Sequence, residues 1–180
     1  MNIFVLDRNP VIAAQMQCDK HVVKMILESF QMLSTAHRVL DGEVVNQSRK
    51  YWLLNDRRED VLYKPSHVNH PCNQWVRESS DNYRWLYNHA IALSKEYTYR
   101  YGKNHKSYEK LSNITEMLPK NIPTKEMTDF ALAMDSDYVD DDPVVSYRNY
   151  YFSKRSKFSM VWTGRQQPEW YANMVSIEAL

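Results

Sequence analysis

One stretch of sequence decides the fold of this chain: Cys18-Asp19-Lys20-His21-Val22-Val23-Lys24-Met25-Ile26-Leu27-Glu28-Ser29-Phe30-Gln31-Met32-Leu33. Apolar side chains fill most of it at the spacing of an α-helix. His21 and Glu28 are seven residues apart, and so are Lys24, Gln31 and Arg38. Because seven residues make about two helical turns, both polar sets lie on one side. The stretch therefore predicts an amphipathic helix whose charged stripe is either a solvated face or a site.

The chain around this helix indicates a mainly α-helical bundle, which we interpret as a single domain over residues 1–180. A short extended segment, Met1 to Leu6, comes first, and Asn9-Pro10 is a typical helix start. The helix is expected to end before Gly42, with a break near Asp19. The small number of glycines, three, disfavours a glycine-rich phosphate loop, and the sequence has no G-x-G-x-x-G pattern.

The later elements are predicted from helix start and stop signals. A long polar connection is predicted over 43–69. It is followed by a helical region from Pro71 to Gly102, which restarts near 79–81. Further helices are predicted near 108–113, over 124–134 and from 143 to about 162.

Composition narrows the function classes. The net charge is +1, yet a cluster of basic residues follows an acidic cluster near the carboxyl end, so a local basic surface is possible. Cys18 and Cys72 are the only cysteines, which disfavours a disulfide framework and indicates a reducing, cytoplasmic location. No apolar run is long enough to span a membrane, so we expect no membrane partner.

Glu28 is the first candidate for catalysis, because a carboxylate on a mainly apolar helix suits a general acid or base. His21, two turns earlier, is a natural hydrogen-bond donor or second proton carrier. The alternative interpretation is an ordinary Lys24–Glu28 ion pair one helical turn apart.

His67 and His70 lie beside Pro71 at the start of a predicted helix, where anions are favoured. A phosphate contact by His70 is therefore one interpretation, and a packing or capping role is the other. Together with His21 and Glu28 they could ligate a metal, but no tight ligand motif is present. We expect neither a metal nor another cofactor.

The segment from Ser146 to Arg155 alternates basic side chains with aromatic rings, a pattern typical of nucleic-acid binding. A half-buried helix would show the same alternation. Its candidate contacts are Tyr147, Arg148, Tyr151, Lys154 and Arg155.

These features resemble the pyrimidine-dimer DNA glycosylase family. The resemblance rests on Asp19-Lys20-His21 with Glu28, on His70-Pro71, on Glu96 followed by Arg100-Tyr101-Gly102, and on the aromatic segment from Tyr147 to Trp170. The stretch from Cys18 to Arg38 is also similar to a group of phage proteins.

The resemblance implies a small DNA N-glycosylase and AP lyase that acts on a damaged or modified pyrimidine nucleotide. In that family a terminal amine attacks the sugar, and Glu28 and His21 match the residues that support the reaction. Because Asn2 is large, we expect Met1 to be retained and its amine to be the nucleophile, with Lys24 as the alternative amine. Asp19, Arg38 and His70 join the five aromatic and basic residues above as expected substrate contacts.

Three other functions fit the same sequence. The first is a non-catalytic nucleic-acid or nucleotide-binding protein of phage type. The second is a metal-dependent hydrolase that uses His21, Glu28, His67 and His70. The third is a protein-interaction module that uses the aromatic surface.

Overall fold

The structure is a computed structural model, and it describes residues 1–46 and 50–179. These residues form eight α-helices and one two-stranded hairpin, which confirms the mainly α-helical prediction. The helices are α1 (Pro10–Gln15), α2 (Asp19–Asp41), α3 (Arg58–Val61), α4 (Pro71–Glu78), α5 (Ser80–Tyr101), α6 (Lys106–Thr115), α7 (Pro143–Ser153) and α8 (Glu169–Glu178). In this described part of the chain, no helix combines the length and apolarity that crossing a membrane would require.

Helix α2 is the central element and packs against α4, α5 and α6. The side chain of Asn9 accepts hydrogen bonds from the first amides of α1, and Pro10 occupies the first helical position, as predicted. The predicted break before α2 is also confirmed. There, the backbone N–H of Cys18 donates to the hydroxyl of Tyr151, 2.8 Å away, which ties the start of α2 to α7.

The helical region that begins at Pro71 divides where the sequence predicts it. Ser79 ends α4, and its hydroxyl accepts a hydrogen bond from the N–H of Asn82 to begin α5. Gly102 ends α5 in the left-handed conformation, with φ of 67°.

The helix predicted over 124–134 is wrong, because this segment is extended and pairs with side chains from α5. Asn82 receives a hydrogen bond from the backbone N–H of Thr128 and donates one to its hydroxyl. Phe130 is buried against Trp75 and Trp85. These long-range contacts outweigh the local helical preference of the segment.

Two further boundaries differ from the prediction. Helix α7 ends at Ser153 and continues only as a 3-10 turn over Lys154–Ser156, rather than reaching Trp162. Helix α8, which follows Pro168, was not predicted.

The polar connection over 43–69 contains regular structure that was not predicted. Strand β1 (Glu43–Asn46) pairs antiparallel with β2 (Lys50–Leu53), and Val44 lies opposite Trp52. Arg38 at the end of α2 holds this region. Its guanidinium donates to Glu59 and to the carbonyls of residues 52, 59, 62 and 63, so that all five of its N–H groups are used.

The segment from Met1 to Leu6 is mostly buried and passes beside α2. The side-chain oxygen of Asn2 accepts hydrogen bonds from the N–H groups of Ile3 and Phe4. Phe4 has a φ of 37°, a conformation that is rare for a residue with a side chain. The extended segment therefore turns sharply, and this turn brings its first residue to α2.

Candidate active site

The α-amine of Met1 and the carboxylate of Glu28 face each other on the inner side of α2. The amine nitrogen lies 3.6 Å from Oε2 of Glu28, and the Glu28 side chain is only 11% exposed. The backbone N–H of Asn2 donates to the same oxygen at 3.2 Å. The sharp turn of the first residues thus places two nitrogen atoms of the chain start beside one carboxylate.

Lys24 completes this group from the solvent side. Its Nζ lies 3.3 Å from Oε1 of Glu28, one turn along α2, and its side chain is 63% exposed. The ion pair considered as the alternative interpretation is therefore present. It occupies one carboxylate oxygen, while the other faces the chain start.

His21 lies two turns before Glu28 within an aromatic cage. Its ring stacks on Phe4 at a centroid distance of 4.8 Å and meets Tyr151 and Phe158 edge to face. The side chain is buried, and its Nδ1 has no hydrogen-bond partner among the described residues. A buried polar atom without a partner costs stability, so this nitrogen is available to a bound group.

Burial lowers the pKa of His21 to about 4, and the positive charges of Lys24, Lys154 and Lys20 act in the same direction. At neutral pH His21 is therefore an uncharged imidazole, which can donate one hydrogen bond and accept another.

A cationic aromatic wall borders the cage. It consists of two half-buried rings, each covered by an ammonium group: Nζ of Lys20 lies 4.4 Å from the ring centre of Phe158, and Nζ of Lys154 lies 3.5 Å from that of Tyr150. Two ammonium groups beside an uncharged imidazole make a favourable place for a phosphate group.

His70 lies at the start of α4, near the same carboxylate. Its Nδ1 accepts a hydrogen bond from the N–H of Cys72, which is the capping role considered for it. Burial lowers its pKa; the charges of the Met1 amine and of His67 add to this, and the charge of Glu28 opposes it.

His67 is exposed and bonds to Ser66. In residues 1–46 and 50–179 no three His, Cys, Asp or Glu side chains are grouped as a metal site requires. The arrangement predicted for a metal-dependent hydrolase is therefore not seen in this part of the chain.

The structure places several expected substrate contacts among internal partners. The guanidinium of Arg38 is fully used in holding the hairpin region, as described above. Tyr147 and Tyr151 are completely buried, and their hydroxyls bond to backbone groups of Ala131 and Cys18. Asp19 pairs with Arg100 and accepts two hydrogen bonds from Thr163. The polar groups of these four residues therefore serve the fold, and Tyr151 meets the candidate site only through its ring, which contacts His21.

Two basic residues of α7 and the 3-10 turn after it also serve the fold. Nε of Arg148 donates to the carbonyl of Leu6 at 3.0 Å and so holds the amino-terminal segment. Arg155 pairs with Glu178 and lies over the ring of Phe152. Of the basic residues predicted in α7 and the turn after it, Lys154 is the one beside His21.

The sequence did not single out Phe4, Asn73 or Phe158, which surround the candidate site. Phe4 and Phe158 look like ordinary apolar residues, and Asn73, two residues after the His70-Pro71 pair, is itself part of no motif. Each reaches the site through the fold, so no local pattern could have identified them.

Comparison with known proteins identifies the family to which the chain belongs. Neither the curated proteins nor the solved structures that were searched include a match to the chain. A family model described as pyrimidine dimer DNA glycosylase matches residues 1–110, which contain Met1, His21, Lys24, Glu28 and His70. This match covers more than half of the 180 residues. The chain therefore belongs to the pyrimidine dimer DNA glycosylase family.

Proposed function

We propose that this protein is a DNA glycosylase with AP-lyase activity, which removes a damaged or modified pyrimidine base. The α-amine of Met1 is the nucleophile and Glu28 is the general acid and base. The observation that carries the proposal is the distance of 3.6 Å between the amine of Met1 and Oε2 of a nearly buried Glu28.

The surroundings of the two amines favour Met1 over Lys24. An imine-forming lysine is activated by desolvation, whereas the side chain of Lys24 is 63% exposed. An α-amine, unlike a lysine side chain, is partly neutral near physiological pH without any special environment. Lys24 then serves to balance the charge of Glu28.

The chemistry begins with the neutral amine of Met1. It attacks C1′ of the sugar, the C1′–N bond to the base breaks, and the base leaves with the electron pair and takes a proton from water. The amine nitrogen gives one proton to Glu28. The C1′–O4′ bond then breaks, O4′ takes the proton from Glu28, and the nitrogen lone pair forms a protonated imine with C1′.

Strand cleavage follows from the imine. The carboxylate of Glu28 removes a proton from C2′, and the electron pair expels the 3′ phosphate by breaking the C3′–O bond. Neutral His21 supplies a hydrogen bond beside the sugar, and Lys20 and Lys154 contact phosphates. No residue outside the candidate site is required for these steps.

Borohydride trapping tests the proposal. The protein is mixed with duplex DNA that carries one abasic site, the imine is reduced, and the adduct is digested and mapped by mass spectrometry. We expect one covalent adduct on the α-amine of Met1. An adduct on Lys24 or on the amine of Asn2 after loss of Met1 would overturn the assignment of the nucleophile, and DNA binding without any adduct would overturn the enzyme itself.

A further inference from the structure

The side chain of Met1 sits against Asn73, the third residue of α4. The thioether sulfur lies 3.0 Å from Nδ2 of Asn73, which is within hydrogen-bond distance for a sulfur acceptor. The same Nδ2 lies 2.9 Å from the carbonyl of Ser66 and 3.0 Å from that of His67. All three neighbours are acceptors, which fixes the amide with its nitrogen toward them, and the two amide hydrogens are shared among the sulfur and the two carbonyls.

Asn73 itself cannot move away from this position without disturbing the core. Its side chain is completely buried, and its Oδ1 has no partner in the described part of the chain. Retaining a buried unpaired acceptor costs stability. Within the described residues, only the contacts of the amide nitrogen, and none of the oxygen, therefore account for a polar side chain at this buried position.

Met1 is thus held at both ends. Its amine faces Glu28, and its sulfur faces Asn73. The next residue, Asn2, is also held in place. Its backbone N–H donates to Glu28, and its side chain donates to the carbonyl of Ala133. Few rotations remain open to the amine once these contacts have formed.

We propose that Asn73 is a positioning residue for imine formation, which aims the amine of Met1 at the sugar by holding its thioether. This inference rests on the proposed function, since it concerns the same nucleophile. In this proposal the side chain of Met1 has a role as well as its amine. Its sulfur accepts a hydrogen bond from Asn73, which an apolar side chain of equal size could not do.

Replacing sulfur by a methylene group isolates this contact. Protein is produced with norleucine in place of all nine methionines, and selenomethionine protein is the matched control, because it also changes every methionine but keeps a hydrogen-bond acceptor. The single-turnover rate of borohydride trapping is measured at saturating abasic-site DNA, together with the dissociation constant for the DNA. Both proteins are then made in the Asn73→Ala background.

We expect norleucine to slow trapping on the order of tenfold in the native background, since misaimed reacting groups lose rate steeply, with the DNA dissociation constant unchanged. In Asn73→Ala the norleucine and selenomethionine proteins should trap at equal rates, because the contact is already lost. A purely structural Asn73 would not couple to the methionine replacement in this way.

An unchanged rate in the norleucine protein would overturn the role of Asn73 while leaving the glycosylase proposal intact. Additive losses from norleucine and Asn73→Ala would overturn it as well. If Asn73→Ala does not fold, the comparison of norleucine with selenomethionine in the native background decides alone. If the unmodified protein traps no DNA, the proposed function fails, and the role of Asn73 fails with it.

Discussion

Oε2 of Glu28 lies 3.6 Å from the amine of Met1, although even Asn2, the next residue, comes 26 positions before that glutamate in the sequence. The turn at Phe4 produces this approach, and the side-chain oxygen of Asn2 stabilises the turn. In the proposed reaction this carboxylate receives the proton that the attacking amine loses.

Glu28→Gln keeps the size of the side chain but removes its basicity and replaces one acceptor oxygen with a donor. We expect the trapping rate on abasic-site DNA to fall roughly 100- to 1000-fold, as is typical for loss of a general acid–base group. Glu109→Gln, a change at an exposed position of α6, is the matched control and should trap normally. Equal rates in the two variants would show that Glu28 is only an ion-pair partner of Lys24.

His21→Phe, in the aromatic cage, should affect the stability of the fold and the rate of trapping differently. Phenylalanine retains the stacking on Phe4 and removes the buried Nδ1 that lacks a partner among the described residues. We expect the free energy of unfolding to stay equal or to rise by about 1 kcal/mol, while trapping slows on the order of tenfold or more through loss of the hydrogen bond to substrate. Urea denaturation and trapping rates measure the two effects. A variant that is much less stable would contradict this view of the cage.

The parts of this fold that follow from sequence are the ones whose partners are close in the chain. Helix ends are predictable where the capping residue bonds to a backbone group within four residues of itself. This is so at Asn9, which precedes Pro10, at Ser79 and at Gly102. The spacing of His21 and Glu28 is equally local, since both belong to α2.

Contacts between distant residues decide the rest. The segment over 124–134 is extended because Asn82, 46 residues away, supplies partners for the backbone of Thr128. Arg38 has the spacing of a site residue in the helical stripe, yet the loop that folds over the end of α2 uses all of its donors. The same reason hides Asn73 and Phe158, which reach the candidate site only after tertiary packing.

Glu96→Gln tests the structural role of the motif that ends α5. Both carboxylate oxygens of the buried Glu96 are used, one by Nε of Arg100 and both by the guanidinium of Arg165. The Arg100 side chain is fully buried and would keep only Asp19 as a charged partner, while Arg165 would lose its carboxylate, so two guanidinium groups would face a neutral amide. We expect the unfolding free energy to fall by about 3 kcal/mol. Asp137→Asn, at an exposed site, is the control; similar stability of both variants in urea denaturation would refute the prediction.

The fold should begin to lose stability as the pH falls below about 6.5, which is before most carboxylates take up protons. Burial lowers the pKa values of His21, His37 and His89 from 6.5 to about 4 in the folded chain. As the pH falls, the unfolded chain therefore binds protons first. Each histidine contributes stability that is complete above pH 6.5 and is lost between about 6.5 and 4, roughly 3 kcal/mol for each. Urea denaturation at pH 7.5 and pH 5 measures this loss, and equal stability at the two values would contradict it.

The two lysines over the aromatic wall should control the salt dependence of DNA binding. Lys20 and Lys154 cover the rings of Phe158 and Tyr150 beside His21. If each contacts one phosphate, replacing both by glutamine lowers the slope of log K against log salt by about 0.9 for each lysine. Fluorescence anisotropy on duplexes with a non-cleavable abasic analogue measures the slope. Lys120→Gln, whose side chain is 77% exposed and which contacts Asp56, is the control and should leave the slope unchanged. An equal slope in the double variant would show that DNA approaches Glu28 from another direction, because a duplex that follows this wall must release counterions there.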